Sequence, residues 1–342
     1  MLNFRSGILS RTHDGLTRRS YGADLLAAAR VLHAALVAAV VYEVEPVDGP
    51  TTVAVQSELV ANAQLPRFQG DPRVAAAIES PLLTEEYFAQ DTRLRLVHCT
   101  DRSALRGGRS GGHLVKGPQT TRWTAQCEAD VSRLTVTADL VPGNRSGWSS
   151  SWPTAGRERS LPAVHDQVDA AVAAAVSTAG RSGRGTAAYL DRSGRRGRRG
   201  RGSARIQQAV RFALFHVLQA AARGESRAIP AKGLTGTGYD GHCFWDTESC
   251  VLPVLTFTAP EAVASALRAR HRMLPAARER ARQLGLAARR FPGAPSTVPS
   301  VRLLAAGTAA FHINAAIAVA ADRYVMVTGD EDFERGEASN SS

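Results

Sequence analysis

The chain has 342 residues, with 42 Lys+Arg against 31 Asp+Glu, a net charge of +11, 44% hydrophobic residues, 6% aromatics and four cysteines. That length holds apolar material for two domains or one large one, and the apolar fraction excludes a wholly disordered chain, although alanine makes up much of it. Cys99, Cys127, Cys243 and Cys250 form no CxxC pair, so they make neither a disulfide framework nor a zinc site and read as buried thiols in a reducing, cytoplasmic setting.

The first residues, MLNFRSGILSRTHDG, lack the apolar run of a secretory signal. The best candidate for a membrane span, residues 25–41, falls short of the ~20 residues a bilayer needs and contains Arg30 and His33, so the chain reads as soluble. From residue 40 the texture is β. VVYEVEPV alternates Val40, Tyr42 and Val44, Asp48-Gly49-Pro50 supplies a turn, and TTVAVQSELV alternates Val53, Val55, Ser57 and Leu59. LRLVHC at 94–99 and LTVTADL at 134–140 repeat the pattern, which predicts an antiparallel sandwich rather than βαβ units.

Beyond residue 160 the period becomes helical. LPAVHDQVDAAVAAAVST at 161–178 spaces Val164, Val168, Ala171, Val172 and Ala175 along one face. An Arg/Gly tract follows. Only Lys116 and Lys232 are lysines, and residues 181–205 hold nine Arg and one acid, Asp191, so this tract carries eight of the eleven net charges and leaves +3 for the rest. It reads as a solvated linker, with phosphate-directed nucleic-acid binding as the rival. Ile206, Val210, Leu214, Val217, Leu218 and Ala221 form an amphipathic stripe. Thr258-Ala-Pro-Glu261 has the form of a capping box opening a helix that ends or kinks near Pro275, and a second helix then runs to Gly285. A last helix aligns Ile313, Ile317, Ala320 and Tyr324 and stops near Gly329.

Residues 229–253, IPAKGLTGTGYDGHCFWDTESCVLP, are the most informative. Glycines 233, 236, 238 and 241 let backbone approach a ligand closely, and His242, Phe244, Trp245, Asp246 and Glu248 follow. A Trp beside an Asp offers a flat apolar face and a charged acceptor for hydroxyls, the two things a sugar presents surfaces for. The bland alternative makes Trp245 a packed residue at a helix start and Asp246 its N-cap. His242 alone more often packs than catalyses, and Glu248 reads as structural.

The string GLTGTGYDGHCFWDTESCVLPVLTFTAPEAVASALRARHRMLPAARERARQLG resembles the start of the catalytic domain of glycoside hydrolase family 65, which includes maltose, trehalose and kojibiose phosphorylases and related hydrolases. YEVEPVDGPTTVAVQSELVAN resembles a strand pair of that family's N-terminal sandwich, and IQQAVRFALFHVLQAAARGESRAIPAKGL and GTAAFHINAAIAVAADRYVMVTGDEDFERG resemble flanking barrel helices. The resemblance implies a multidomain chain, β then α: a partial antiparallel β-sandwich over 1–150, a helical linker with the Arg/Gly tract over 151–205, and the first helices of an (α/α)6 barrel over 206–342. It implies inverting attack on an α-glucosidic bond of a trehalose- or maltose-like disaccharide, by water or by phosphate as co-substrate, with no other cofactor and no metal. Trp245 and Asp246 inherit the family's glucose subsite, with His242 and Phe244 supporting it. An α-linked disaccharide is the implied partner, and a dimer is expected where the full family fold is present.

The family's general-acid Glu lies downstream of the helix ending near Gly329, so no residue up to Ser342 takes that role, and a fragment with impaired catalysis is expected. The alternatives are a nucleic-acid-binding protein acting through the Arg/Gly tract and an inert pseudogene product. Residues 12–39, 143–160, 181–205 and 293–306 depart from the family pattern, and family-like sequence resumes after each. With 40 Arg against 2 Lys, these departures read as out-of-frame segments of GC-rich DNA, which translation of the gene in all frames tests.

Overall fold

The computed structural model describes residues 2–4, 7–15, 21–31, 37–46, 49–63, 81–101, 104–143, 146–158, 160–178, 203–221, 228–233, 243–283, 285 and 312–338. They fall into two compact units, one within the first 178 residues and one from residue 203 onward. Strands come first and helices follow. Among the described residues no helix is long and apolar enough to cross a membrane, and residues 25–31 and 37–41 of the segment weighed as a span lie in strands.

The first unit holds eleven described strands: β1 (Leu2–Asn3), β2 (Ile8–Gly15), β3 (Tyr21–Val31), β4 (Val37–Pro46), β5 (Thr51–Val60), β6 (Leu82–Gln90), β7 (Arg93–Thr100), β8 (Arg106–Lys116), β9 (Arg122–Cys127), β10 (Val131–Leu140) and β11 (Ser146–Glu158). Every pairing is antiparallel. One sheet has the order β1-β2-β3-β4-β11-β8-β7-β6 and the other β5-β10-β9. Alternation sets the register: Val136 sits opposite Val55 on one side and Trp123 on the other, so apolar side chains stack across the small sheet. Leu134, Val136, Ala138 and Leu140 of that sheet meet Val44 and Leu94 of the large one in a common core. Pairing of β11 with β8 lapses between Ser151↔Gly112 and Thr154↔Arg109, where Pro153 has no N–H to donate.

Helix α1 (Leu161–Thr178) covers the opposite side of the large sheet, so β7 is buried on both faces. Leu94 faces the small sheet while Val97 packs under Val164 and Val168, which is why burial along β7 is nearly continuous rather than alternating. Gly108 makes this approach possible, since a Cβ there would lie 2.6 Å from Val164 Cγ1 and 2.9 Å from Val168 Cγ2. Strand β11 runs across residue 150 and α1 packs on it, so the strand and helix that follow position 150 belong to the first unit.

The second unit contains α2 (Ala204–Ala221), a π-helical turn (Thr247–Val251) continuing into α3 (Leu252–Thr258), then α4 (Pro260–His271), α5 (Leu274–Gln283), α6 (His312–Thr328) and a short turn α7 (Glu331–Phe333). The break at residues 272–273 and the turn at Gly285, whose φ is +68°, fall where Pro275 and Gly285 predict them. Ile313, Ile317, Ala320 and Tyr324 are the buried face of α6, and Gly329 ends it at φ +67°.

Three expectations need correction. The stripe on α2 is buried only in its C-terminal half, through Phe215, Leu218, Ala220 and Ala221, while Ile206 is 61% exposed and Val210 is exposed too. Thr258 is not a capping residue: it is the last residue of α3, its Oγ1 donates back to the Val254 carbonyl at 2.9 Å, and Ala259 takes the N-cap position of α4 without a side-chain bond. Of the four cysteines, none of them in a disulfide, Cys99 is buried, Cys127 and Cys243 are half-buried and Cys250 is exposed.

Candidate functional site

The site begins where the chain enters the second unit's core. Gly233 takes φ +54° in a turn closed by its N–H to the Pro230 carbonyl at 2.8 Å, and a Cβ on it would meet Ala220 Cβ at 2.9 Å, so this glycine is required both for conformation and for space. Residues 234–242, with Gly236, Gly238, Gly241 and the predicted site residue His242, lie outside the described residues.

From Cys243 the chain winds into helix. Thr247 N–H donates to the Phe244 carbonyl (3.2 Å), and the N–H groups of Glu248 and Ser249 both donate to Trp245 (3.1 and 3.3 Å). The turn then widens, with Leu252 N–H donating to Thr247 O in a π-helical bond. The sequence supplies the cause: Pro253 has no N–H to close an α-helical bond onto Ser249, and its ring crowds that carbonyl.

The structure brings Phe244, Trp245 and Asp246 together at the head of this turn. Asp246 is exposed, sits at the N-cap position with φ −56° and ψ −26°, and makes no side-chain cap hydrogen bond. The Trp245 ring is half-buried. It packs on the cluster of Leu274, Ala277, Ile313 and Ile317 beside Met273, and meets His312 edge-to-face at 4.6 Å and 75°. So the packing half of the bland alternative holds for Trp245 and the capping half fails for Asp246. Phe244 is half-buried.

Glu248 turns inward. It is 4% exposed and forms a two-pronged ion pair with Arg270, itself 2% exposed: Nε donates to Oε1 at 2.6 Å and Nη2 to Oε2 at 3.0 Å. Thr247 anchors the same turn, its Oγ1 donating to the Ile229 carbonyl at 3.3 Å. Arg270, His312 and Thr247 were missed from sequence. The signal for Arg270 was present: it continues the buried face of Val263, Ala266 and Leu267 on α4, and an Arg on an apolar stripe calls for a buried carboxylate. Among the described residues, no three His, Cys, Asp or Glu side chains gather as a metal site.

Two family models match the chain: the glycosyl hydrolase family 65 N-terminal domain over residues 1–148 and the glycosyl hydrolase family 65 central catalytic domain over 211–340. A carbohydrate-active class is therefore defined by both units. The chain belongs to glycoside hydrolase family 65. An uncharacterized glycosyl hydrolase of Mycobacterium leprae is 46% identical over 315 residues, spanning 87% of this chain and 38% of that relative. An alpha,alpha-trehalose phosphorylase of Thermoanaerobacter brockii is 42% identical over 133 residues, 39% of this chain and 17% of the relative. A solved putative kojibiose phosphorylase from the human microbiome shares the fold with a TM-score of 0.84 at 19% identity, over 99% of this chain and 44% of its own. The chain thus spans less than half the length of each. The nucleic-acid alternative finds no support, and residues 181–202 of its Arg/Gly tract lie outside the described residues.

Proposed function

We propose that the chain contributes the glucose-recognition part of an enzyme that cleaves α-glucosidic bonds in trehalose- or maltose-like disaccharides with inversion, by phosphorolysis or hydrolysis. The observation that carries this reading is the uncapped, exposed carboxylate of Asp246 beside a tryptophan whose ring is fixed by packing. A carboxylate in that state is open to accept hydrogen bonds from two adjacent hydroxyls, while a held indole offers a rigid apolar surface to a pyranose C–H face at little entropic cost. Phe244 and His242 support the same subsite. The helices from α2 onward, over residues 206–342, are read as the beginning of an (α/α)6 barrel, and no residue of this chain is assigned as general acid. A cytoplasmic setting accords with four cysteines outside any disulfide, and a dimer belongs to the same reading.

Glucose titration followed by saturation-transfer NMR tests the subsite. Binding is expected for the parent and lost in Trp245→Ala and Asp246→Ala, and an unchanged response in both variants would remove the assignment. Incubation with trehalose, maltose or kojibiose, with and without phosphate, separates the two reactions: glucose 1-phosphate marks phosphorolysis and glucose alone marks hydrolysis.

A further inference from the structure

The Trp245–Asp246 turn is held by a group that the sugar-binding reading does not use. Glu248 and Trp245 share one turn through the Glu248 N–H bond to the Trp245 carbonyl, so the direction of the Glu248 side chain fixes the rotation of that turn. Glu248 is held by Arg270, in the last turn of α4. Three residues on, Met273 donates its N–H to the Arg270 carbonyl at 2.9 Å, and the next residue, Leu274, belongs to the buried cluster against which both the indole and Met273 pack. One short stretch, 270–274, therefore grips the turn twice, through charge at Glu248 and through packing at Trp245.

We propose that the Arg270–Glu248 pair is a positioning device that sets the helical register of the Trp245–Asp246 turn, and so the direction of the Asp246 carboxylate; in its functional part this rests on the sugar-binding reading above. A π-helical turn is where such a device is needed. The α-helical ladder is interrupted at Pro253, and slipping by one residue between π and α winding would swing Asp246 by about 100° around the helix axis. The pair is a poor device for stability alone, because Arg270 Nη1 is buried with no hydrogen-bond partner among the described residues. A buried ion pair of this kind contributes a unique arrangement, since only one register satisfies both prongs.

The test uses the full chain labelled with 5-fluorotryptophan, whose four resonances report Trp123, Trp148, Trp152 and Trp245, the last assigned with Trp245→Phe. In Glu248→Gln and Arg270→Gln the Trp245 resonance is expected to shift or broaden while the other three stay in place. In Arg270→Lys, which keeps the charge, it is expected to return towards the parent position. Glucose titrated into the same samples is expected to bind about tenfold more weakly in the two Gln variants. The double variant Glu248→Gln/Arg270→Gln should lose no more than the worse single one, because both act through one contact. A Trp245 resonance unmoved in all three single variants overturns the proposal, and additive losses in the double variant do so too. If one Gln variant loses the dispersion of all four resonances, the other Gln variant decides, and a Trp245 resonance unmoved in it overturns the proposal. A Trp245 resonance that moves in variants of a parent that does not respond to glucose overturns the sugar-binding reading and supports the register role.

Discussion

Arg270 on α4 and Glu248 on the π-helical turn, 22 positions apart, meet through two charge-assisted hydrogen bonds in a region closed to solvent. Burial of both charges makes the pair costly to break from one side. Replacing Arg270 by Met leaves the Glu248 carboxylate buried without a counter-charge and is expected to destabilise the second unit by about 3–5 kcal/mol, whereas Glu248→Met/Arg270→Met recovers most of that loss. Urea denaturation read by far-UV circular dichroism checks both. A single Met variant as stable as the parent contradicts the buried pair.

Gly108 lies under α1 with no room for a side chain. A Cβ there would press on Val164 and Val168, both fully buried, and either the helix lifts from the sheet or the valines leave their rotamers. Gly108→Ala is expected to cost about 1–3 kcal/mol, while Gly49→Ala, where nothing lies within 4 Å of the added atom, should fall within about 0.5 kcal/mol of the parent. The two melting temperatures, compared side by side, test the packing of α1 on β8.

Alternation and 3.6-residue periodicity made β4, β5, β10, α1 and α6 legible, because each presents one strongly apolar face, whereas β7, buried on both faces, was found by its run of apolar residues. Strand β8 was not legible: RGGRSGGHLVK carries four glycines, and its partners β7 and β11 rather than its own side chains define it as a strand. At the site, Trp245 and Asp246 stood out by chemical type. Arg270 stood out less, since its place on the apolar stripe competes with a second reading: an arginine near the end of a basic helix also looks like a favourable dipole partner until its burial is known.

The same limit governs Thr258. T-x-x-E is a sound N-terminal signature, but the preceding helix extends to Thr258 and its hydroxyl is already bonded to Val254. Thr258→Ala is accordingly expected to change stability by less than about 0.5 kcal/mol, where loss of a true cap costs about 1 kcal/mol. A drop in melting temperature equivalent to the larger figure would restore the capping box.

His113 joins the two sheets. Its Nδ1–H donates to the Thr92 carbonyl at 3.0 Å and its Nε2 accepts from Ser57 Oγ at 3.1 Å, the arrangement of a neutral ring. Burial pushes its pKa below the ordinary 6.5, against the opposing pull of the Thr92 carbonyl. The unfolded chain therefore binds this proton first on acidification. The stability that His113 contributes is complete above about pH 6.5 and is lost as pH falls towards the lower folded value. Thermal melts at pH 7.5 and 5.5 should show a steeper loss for the parent than for His113→Gln, and parallel behaviour would refute the neutral buried ring.

Tyr324 carries the opposite sign at the other end of the pH scale. Its hydroxyl donates to Asp330 Oδ2 at 2.7 Å, and Asp330 also caps α7 by accepting from the Phe333 N–H at 3.0 Å. Burial, followed by the hydrogen bond and the charge of Asp330, pushes the phenol up to about 12 from its ordinary 10. A raised folded pKa means that the protonated phenol is favoured in the folded state. This contribution is fully present below about pH 10 and is lost as pH rises through about 12. Tyr324→Phe removes the donor from Asp330, whose carboxyl is held below its usual range first by the Phe333 amide and then by Tyr324. Absorbance at 295 nm during alkaline titration is expected to show a late phenol contribution that disappears in the Phe variant. The stability difference between the two proteins should shrink between pH 10 and 12, and a difference that stays constant over that range would show that the Tyr324–Asp330 hydrogen bond is not formed.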